Sequence, residues 1–256
     1  MEGKSSIRNT RLVMVNYLNA EPFRVGLKKY SHLFNGIEIS QDIPSNCALS
    51  FEKGDSDIAL LPVGALHGIK DYQIVTNFGI GCDGPVKTVC LFSNQPPENW
   101  KTIFLDKHSR TSVLLTRIIM EDYFKIQPDY LPSEAETQIV EENEAILLIG
   151  DKVFDMQNNY RYSYDLGQIW KEMTGLPFVF AVWVINTAIS DKNFIAQLQD
   201  AFEYGVASIP VWTKNDDLTI NGKHLTTYYR ENIKYRLTED YFLSMDLFLK
   251  KSVRYL

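Results

Sequence analysis

The sequence predicts an α/β protein of two lobes with a ligand cleft between them. Three observations carry this expectation. Short apolar runs, such as residues 12–15, 57–62, 101–105, 145–149 and 178–185, alternate with segments of helical periodicity, the pattern of parallel sheets with helices on both faces. Residues 94–99, Asn-Gln-Pro-Pro-Glu-Asn, read as a linker, and the chain is expected to rejoin the first sheet near Asn186. Residues from 191 onward read as helical throughout, so they should pack back on the first lobe. The expected division is therefore 1–93 with 187–256 as one discontinuous lobe and 94–186 as the other.

The elements follow in order. Leu12-Val13-Met14-Val15 is a strand, and Asn19-Ala20-Glu21-Pro22 turns the chain into a helix. Pro22 suits a first helical turn, where its missing N–H is no loss. Phe23, Leu27 and Tyr30 continue at helical spacing. A short strand at 37–39 precedes a helix from Pro44 to Lys53, with Ser45 as the candidate N-cap and Gly54 as the stop. Residues 57–62 form a short buried strand, and 64–69 one or two helical turns. Strands are expected at 72–79 and 86–93, joined by a turn-rich segment, Gly81-Cys82-Asp83-Gly84-Pro85. Beyond the linker come a strand at 101–105 and a helix from Ser109 with Leu114, Leu115, Ile118, Ile119 and Tyr123 on one face. A strand at 129–131, a polar stretch at 134–143 and a strand at 145–149 follow. A helix over 164–173 leads to an apolar strand at 178–185. Helices at 194–209, 225–235 and 239–255 complete the chain.

Composition narrows the function. With 256 residues, 45% hydrophobic and 23% charged, the chain is long enough to bury a sizeable core. The net charge of −6 and the lack of a long basic run argue against nucleic acid. An anionic ligand remains open, because local donors and not net charge decide its binding. The first apolar cluster is too short for a signal peptide and no run suits a membrane span, so a cytoplasmic protein is expected. Cys47, Cys82 and Cys90 are too sparse for a disulfide framework. His32, His67, His108 and His224 do not pair at metal-ligand spacing. No metal is therefore expected.

Four segments are candidates for chemistry. Asp106-Lys107-His108-Ser109-Arg110-Thr111-Ser112 follows a strand and opens a helix. Free N–H groups there favour an anion, and the hydroxyls of Ser109, Thr111 and Ser112 add donors. Arg110 either adds a charge or points to solvent, and Ser109 equally suits a plain N-cap. At Gly150-Asp151 a strand ends where glycine lets backbone approach a ligand, although a simple turn would read the same. Asn19 at a strand end either donates to a carboxylate or hydroxyl, or caps the next helix. Thr88 lies in a strand, where threonine is an ordinary β-former. Among the alternating Tyr160, Tyr162 and Tyr164, Tyr164 is the candidate to line the cleft. The chain contains no GxSxG, Walker or dinucleotide-loop pattern.

Several blocks recur in a known order. They are Val15-Asn16-Tyr17-Leu18-Asn19-Ala20-Glu21-Pro22, Asp57-Ile58-Ala59-Leu60-Leu61-Pro62, Gly84-Pro85-Val86-Lys87-Thr88-Val89, Asp106 through Val113, Leu148-Ile149-Gly150-Asp151, and Tyr164-Asp165-Leu166-Gly167 through Trp170 to Thr174-Gly175-Leu176-Pro177-Phe178-Val179-Phe180-Ala181-Val182-Trp183. With them the sequence resembles the chorismate dehydratase family of menaquinone biosynthesis. The resemblance implies a type II periplasmic-binding-protein-like fold. It implies a cytoplasmic enzyme of the futalosine route that converts chorismate to 3-[(1-carboxyvinyl)oxy]benzoate and water without metal or cofactor. It implies roles at the reacting ring for Asn19 and Thr88. The family more often has Ser where Thr88 stands, and often Ser where Val63 stands. The added methyl of Thr88 narrows the pocket, and Val63 can take no polar role. An anion-carrying protein of a transporter, the related 1,4-dihydroxy-6-naphthoate synthase and a non-catalytic sensor are the competing readings.

Overall fold

The computed structural model describes residues 10–133, 140–156, 159–189, 191–212, 219–220 and 223–256. The polar stretch expected at 134–143 lies in part, at 134–139, outside the described residues.

In chain order the strands are β1 (Thr10–Val15), β2 (Ile37–Asp42), β3 (Ile58–Pro62), β4 (Tyr72–Cys82), β5 (Val89–Ser93), β6 (Thr102–Asp106), β7 (Asp129–Ser133), β8 (Glu144–Ile149), β9 (Tyr162–Asp165), β10 (Phe178–Asn186), β11 (Thr219–Ile220), β12 (Lys223–His224) and β13 (Lys234–Arg236). The helices are α1 (Glu21–Lys29), α2 (Pro44–Glu52), α3 (Arg110–Ile119), α4 (Val153–Met156), α5 (Leu166–Thr174), α6 (Lys192–Ala207), α7 (Ile209–Trp212), α8 (Leu225–Thr227) and α9 (Glu239–Ser252).

Two main sheets result, in the orders β13-β4-β10-β3-β1-β2 and β7-β6-β8-β5-β9. The two-lobed α/β expectation holds. Each sheet is mixed, however, where parallel pairing was expected. β1 pairs parallel with β2 and β3, and β6 with β7 and β8. β10 runs antiparallel to both of its neighbours, and so does β5. β3 and most of β10 are buried along their length. That explains their unbroken apolar sequence, since a central strand buries both faces.

Sheet membership also moves the crossings. The strand expected at 86–93 in the first lobe is β5, and it pairs with β8 and β9 in the second sheet. The strand at 178–185, expected in the second lobe, is β10 at the middle of the first sheet. The chain therefore changes sheet at residues 83–88 and 175–177, not near Asn94 and Asn186. The Pro-Pro segment forms only a local turn inside the second lobe, with Trp100 Nε1 donating to the Gln95 carbonyl at 2.8 Å. The glycine turn makes the first crossing, because Gly84 supplies a φ of +104°.

Three smaller expectations fail. Ser45 lies inside α2, whose N-cap position is Ile43 and carries no side-chain cap; Asp42 steadies the turn before it, its Oδ1 accepting from Ile43 N at 2.7 Å and Asn46 Nδ2 at 2.9 Å. Residues 164–165 belong to β9, so α5 begins at Leu166. β13 occupies residues expected to be helical, because a three-residue edge strand has no room for a periodic signal.

The C-terminal segment returns to the first lobe as expected. α6 crosses α1 with Gly26 facing Ala201 and Gly205 facing Pro22, each without room for a Cβ. Beneath them Phe23, Trp183, Phe202 and Tyr235 pack through edge and stacked ring contacts. Among the described residues no helix is long and apolar enough to cross a membrane.

Candidate active site

A cavity lies between the two sheets, with about 530 Å³ of empty space that is partly open to solvent. Val15, Ile80, Val86, Ile149 and Phe180 give it apolar walls. Its polar lining comes from Tyr17, Asn19, Thr88, Ser109, Thr111, Ser112 and Gly150. Six of the nine residues singled out in the sequence thus meet in one place. No described residue lining the cavity carries a carboxylate, imidazole, amine or guanidinium group.

The α3 start is built as its sequence suggests. Ser109 is extended, and its Oγ accepts from Ser112 N at 3.0 Å. Its own proton stays available to a ligand. Ser112 is buried, and no described hydrogen bond takes up its Oγ. Thr111 departs from expectation. Its Oγ1 accepts from Gly64 N at 3.0 Å and donates to the Phe180 carbonyl at 3.2 Å. That hydroxyl stitches the second lobe to the first and has no proton left for a ligand.

Asn19 sits in the 3-10 turn after β1, where it caps no helix. Its Oδ1 is buried without a partner, so the ligand-facing alternative survives. Gly150 has a φ of +73° and lets the Tyr17 ring lie against it, since a Cβ there would meet that ring at 3.0 Å. Burial, with Asp106 and Asp151 nearby, pushes the Tyr17 phenol up, so it stays protonated.

Three expected site residues lie elsewhere. Arg110 points to the rim, 3.8 Å from Glu52. Tyr164 packs edge-on against Trp100 and Phe124, at 5.4 and 5.6 Å between ring centres, on an edge strand away from the cavity. Asp151 turns its carboxylate to Leu18 N, at 3.2 and 3.3 Å from its two oxygens, and so bridges the lobes. Burial raises its pKa.

Two residues outside the sequence-based candidates shape the site. Asp165 caps α5 by accepting from Gly167 N and Gln168 N. The same carboxylate accepts from Val86 N at 3.1 Å and Lys87 N at 2.7 Å. It thereby holds Lys87 at φ +69°, a conformation rare outside glycine, and points the next residue, Thr88, inward. Tyr228 lies behind Thr88, with its hydroxyl 3.2 Å from Thr88 Oγ1. Asp165 was legible as part of the Asp-Leu-Gly block. Tyr228 carried no local signal, being one apolar position in a helical stretch.

The Asp-Leu-Gly to Trp block now has a physical reading. Gly167 leaves space that Cys82 Sγ and the Gly84 carbonyl fill, at 2.5 and 2.8 Å from where a Cβ would stand. Trp170 Nε1 donates to Ser244 Oγ at 2.9 Å and ties α5 to α9. The block locks the crossing that carries Thr88.

Two sheets joined by two crossings around a cavity form a type II periplasmic-binding-protein-like fold. Solved structures agree at the level of fold. Protein AF1704 from Archaeoglobus fulgidus has a TM-score of 0.73 at 15% identity, over 94% of this chain and 96% of its own. The periplasmic aliphatic sulphonate binding protein SsuA from Escherichia coli has a TM-score of 0.59 at 17% identity, over 96% and 93%. The family model described as menaquinone biosynthesis matches residues 10–254, and the chain belongs to that family. A similar protein is the chorismate dehydratase of Thermus thermophilus, 22% identical over 249 residues, 85% of this chain and 90% of that one.

Proposed function

We propose that this protein is a carbon–oxygen lyase that dehydrates chorismate to 3-[(1-carboxyvinyl)oxy]benzoate and water. The observation that carries the reading is the meeting of Asn19 and Thr88 with the α3 start and Gly150 in one apolar cavity. It accords with membership in a menaquinone biosynthesis family and with the named activity of the Thermus thermophilus relative. The reading includes a cytoplasmic location and no metal or organic cofactor.

The chemistry asks little of the protein. Loss of water makes the ring aromatic, so the product supplies the driving force. One ring C–H bond and the C–O bond to the neighbouring hydroxyl must break. The substrate's own enolpyruvyl carboxylate takes the ring proton, and the C–O electron pair leaves with the hydroxyl oxygen. The departing hydroxide and that proton together make the water. Thr88 and Asn19 orient the ring and the leaving hydroxyl, and positioning supplies the catalysis. Ser109, Ser112 and the N–H groups at the α3 start hold a carboxylate without a cation, as a helix start can. Apolar walls exclude water and strengthen these contacts.

Purified protein incubated with chorismate should consume it and release an aromatic carboxylate, followed by absorbance and mass. Binding without conversion would instead indicate a carrier or sensor. A protein that neither binds nor converts chorismate would sink the reading altogether.

A further inference from the structure

We infer that Tyr228 is a positioning residue for this dehydration, its hydroxyl setting which hydrogen-bonding face Asn19 and Thr88 each present to the cavity. The inference rests on the dehydratase reading above.

Tyr228 opens the π-helical turn Tyr228–Asn232 in the returning C-terminal segment. It is 3% exposed and does not line the cavity. Its ring meets Phe154 of the second lobe edge-on, at 5.2 Å and 90°, and Tyr229 at 5.4 Å. The same turn grips the crossing, with Asn232 Nδ2 donating to the Pro85 carbonyl at 3.0 Å. The hydroxyl is therefore fixed from several sides. It bonds Thr88 Oγ1 at 3.2 Å, and the Asn19 amide lies close enough to draw its pKa down slightly.

Proton counting sets the directions. Burial pushes the Tyr228 phenol up, and its contacts with Thr88 and Asn19 offset this only in part. The phenol stays neutral, with one proton to give and lone pairs to accept. Asn19 Oδ1 has no partner, so the amide N–H end faces Tyr228, which accepts. The phenol proton then goes to Thr88 Oγ1. Thr88 has its own proton left for the cavity, and Asn19 has a bare carbonyl. A donor from Thr88 suits the leaving oxygen, which gains negative charge as the C–O bond breaks. An acceptor from Asn19 suits the hydrogen of that same hydroxyl. Without the phenol, a threonine hydroxyl and a primary amide can each rotate to the wrong face.

The test is Tyr228→Phe, which keeps the ring. Wild-type conversion of chorismate, measured alongside, judges the dehydratase reading by itself. The variant should lose about tenfold or more in kcat, as misplaced groups do, with KM and the thermal midpoint nearly unchanged. Combined with Thr88→Val, it should lose clearly less than the product of the two single losses, because part of the effect of Tyr228 runs through Thr88. Without any substrate, the Asn19 side-chain amide NMR signals, assigned by their loss in Asn19→Ala, should shift in the phenylalanine variant. Wild-type kcat in that variant, additive losses in the double variant, or unmoved Asn19 signals would each overturn the inference. The amide readout judges the Asn19 contact even if chorismate proves not to be the substrate.

Discussion

Asn19 and Thr88 lie in the cavity with few polar neighbours, and that sparseness makes single substitutions informative. Thr88→Val keeps shape and removes the donor. It should lower kcat by about 10²-fold or more, the scale of losing one positioned donor, while Thr88→Ser retains turnover. Asn19→Ala should behave like Thr88→Val. Steady-state kinetics with a thermal melt of each variant separates lost chemistry from lost folding. Full turnover in both would remove these residues from the mechanism. Asp165 makes a different prediction. Its carboxylate accepts four backbone N–H groups, and Asp165→Asn should cost about 2 kcal/mol in chemical denaturation. Burial raises its pKa from the ordinary 3.8 despite those bonds. The folded state thus holds this proton more tightly than the unfolded chain does. The stability linked to it is full below about pH 4 and declines as pH rises through the raised value. Denaturation midpoints of wild type should show this decline, and the asparagine variant should show less of it, keeping the part that belongs to Asp151.

At the scale of elements, close backbone approach decides where helices sit. α1 and α6 touch through Gly26 and Gly205, where an added Cβ would come 1.9 Å from a carbonyl oxygen of the other helix. A carbonyl cannot move aside as a side chain can. Gly26→Ala should therefore cost at least the roughly 1–3 kcal/mol typical of overpacking. Gly54→Ala is the control, since its Cβ would meet nothing within 4 Å and the strain is only that of φ +74°. Urea melts that rank these two the other way would contradict the reading of the α1–α6 contact. The start of α3 follows a related logic. Ser109 caps it and also lines the cavity, so stability and ligand binding share one hydroxyl.

For the whole molecule, two of the polar bridges between the lobes lie beside the cavity. Thr111 Oγ1 links Gly64 N to the Phe180 carbonyl, and Asp151 receives Leu18 N. Asp151→Ala removes a charge-assisted bond without touching the cavity lining. It should lower the fraction of molecules with the lobes together and raise the apparent KM for chorismate by that factor. A loss near 1.4 kcal/mol corresponds to about tenfold. The change should fall on KM far more than on kcat. A kcat loss alone would place Asp151 in the chemistry and not in the bridge.

Much of this arrangement could be read in the sequence. Period and punctuation carried the α/β class, most strands and the α3 start, because those signals are local and depend on which faces are buried. Six candidate residues converged, since strand ends and helix starts of such sheets face a common cleft. Residues 86–93 and 178–185 were placed in the wrong sheets because apolar runs say that a strand is buried and not which neighbour it pairs with. Tyr164, Arg110 and Asp151 were misplaced for the same reason, as side-chain direction at an edge or turn depends on packing from afar. The phenol of Tyr228 reaches Thr88 across 140 residues of chain, and Asp165 reaches Lys87 across 78. What the sequence determined by itself was the class of fold and the family, and its resemblance to that family singled out Asn19 and Thr88 as candidates. Only the tertiary structure decided which groups orient that pair, because long-range contact follows the folded path of the chain and leaves no periodic trace along it.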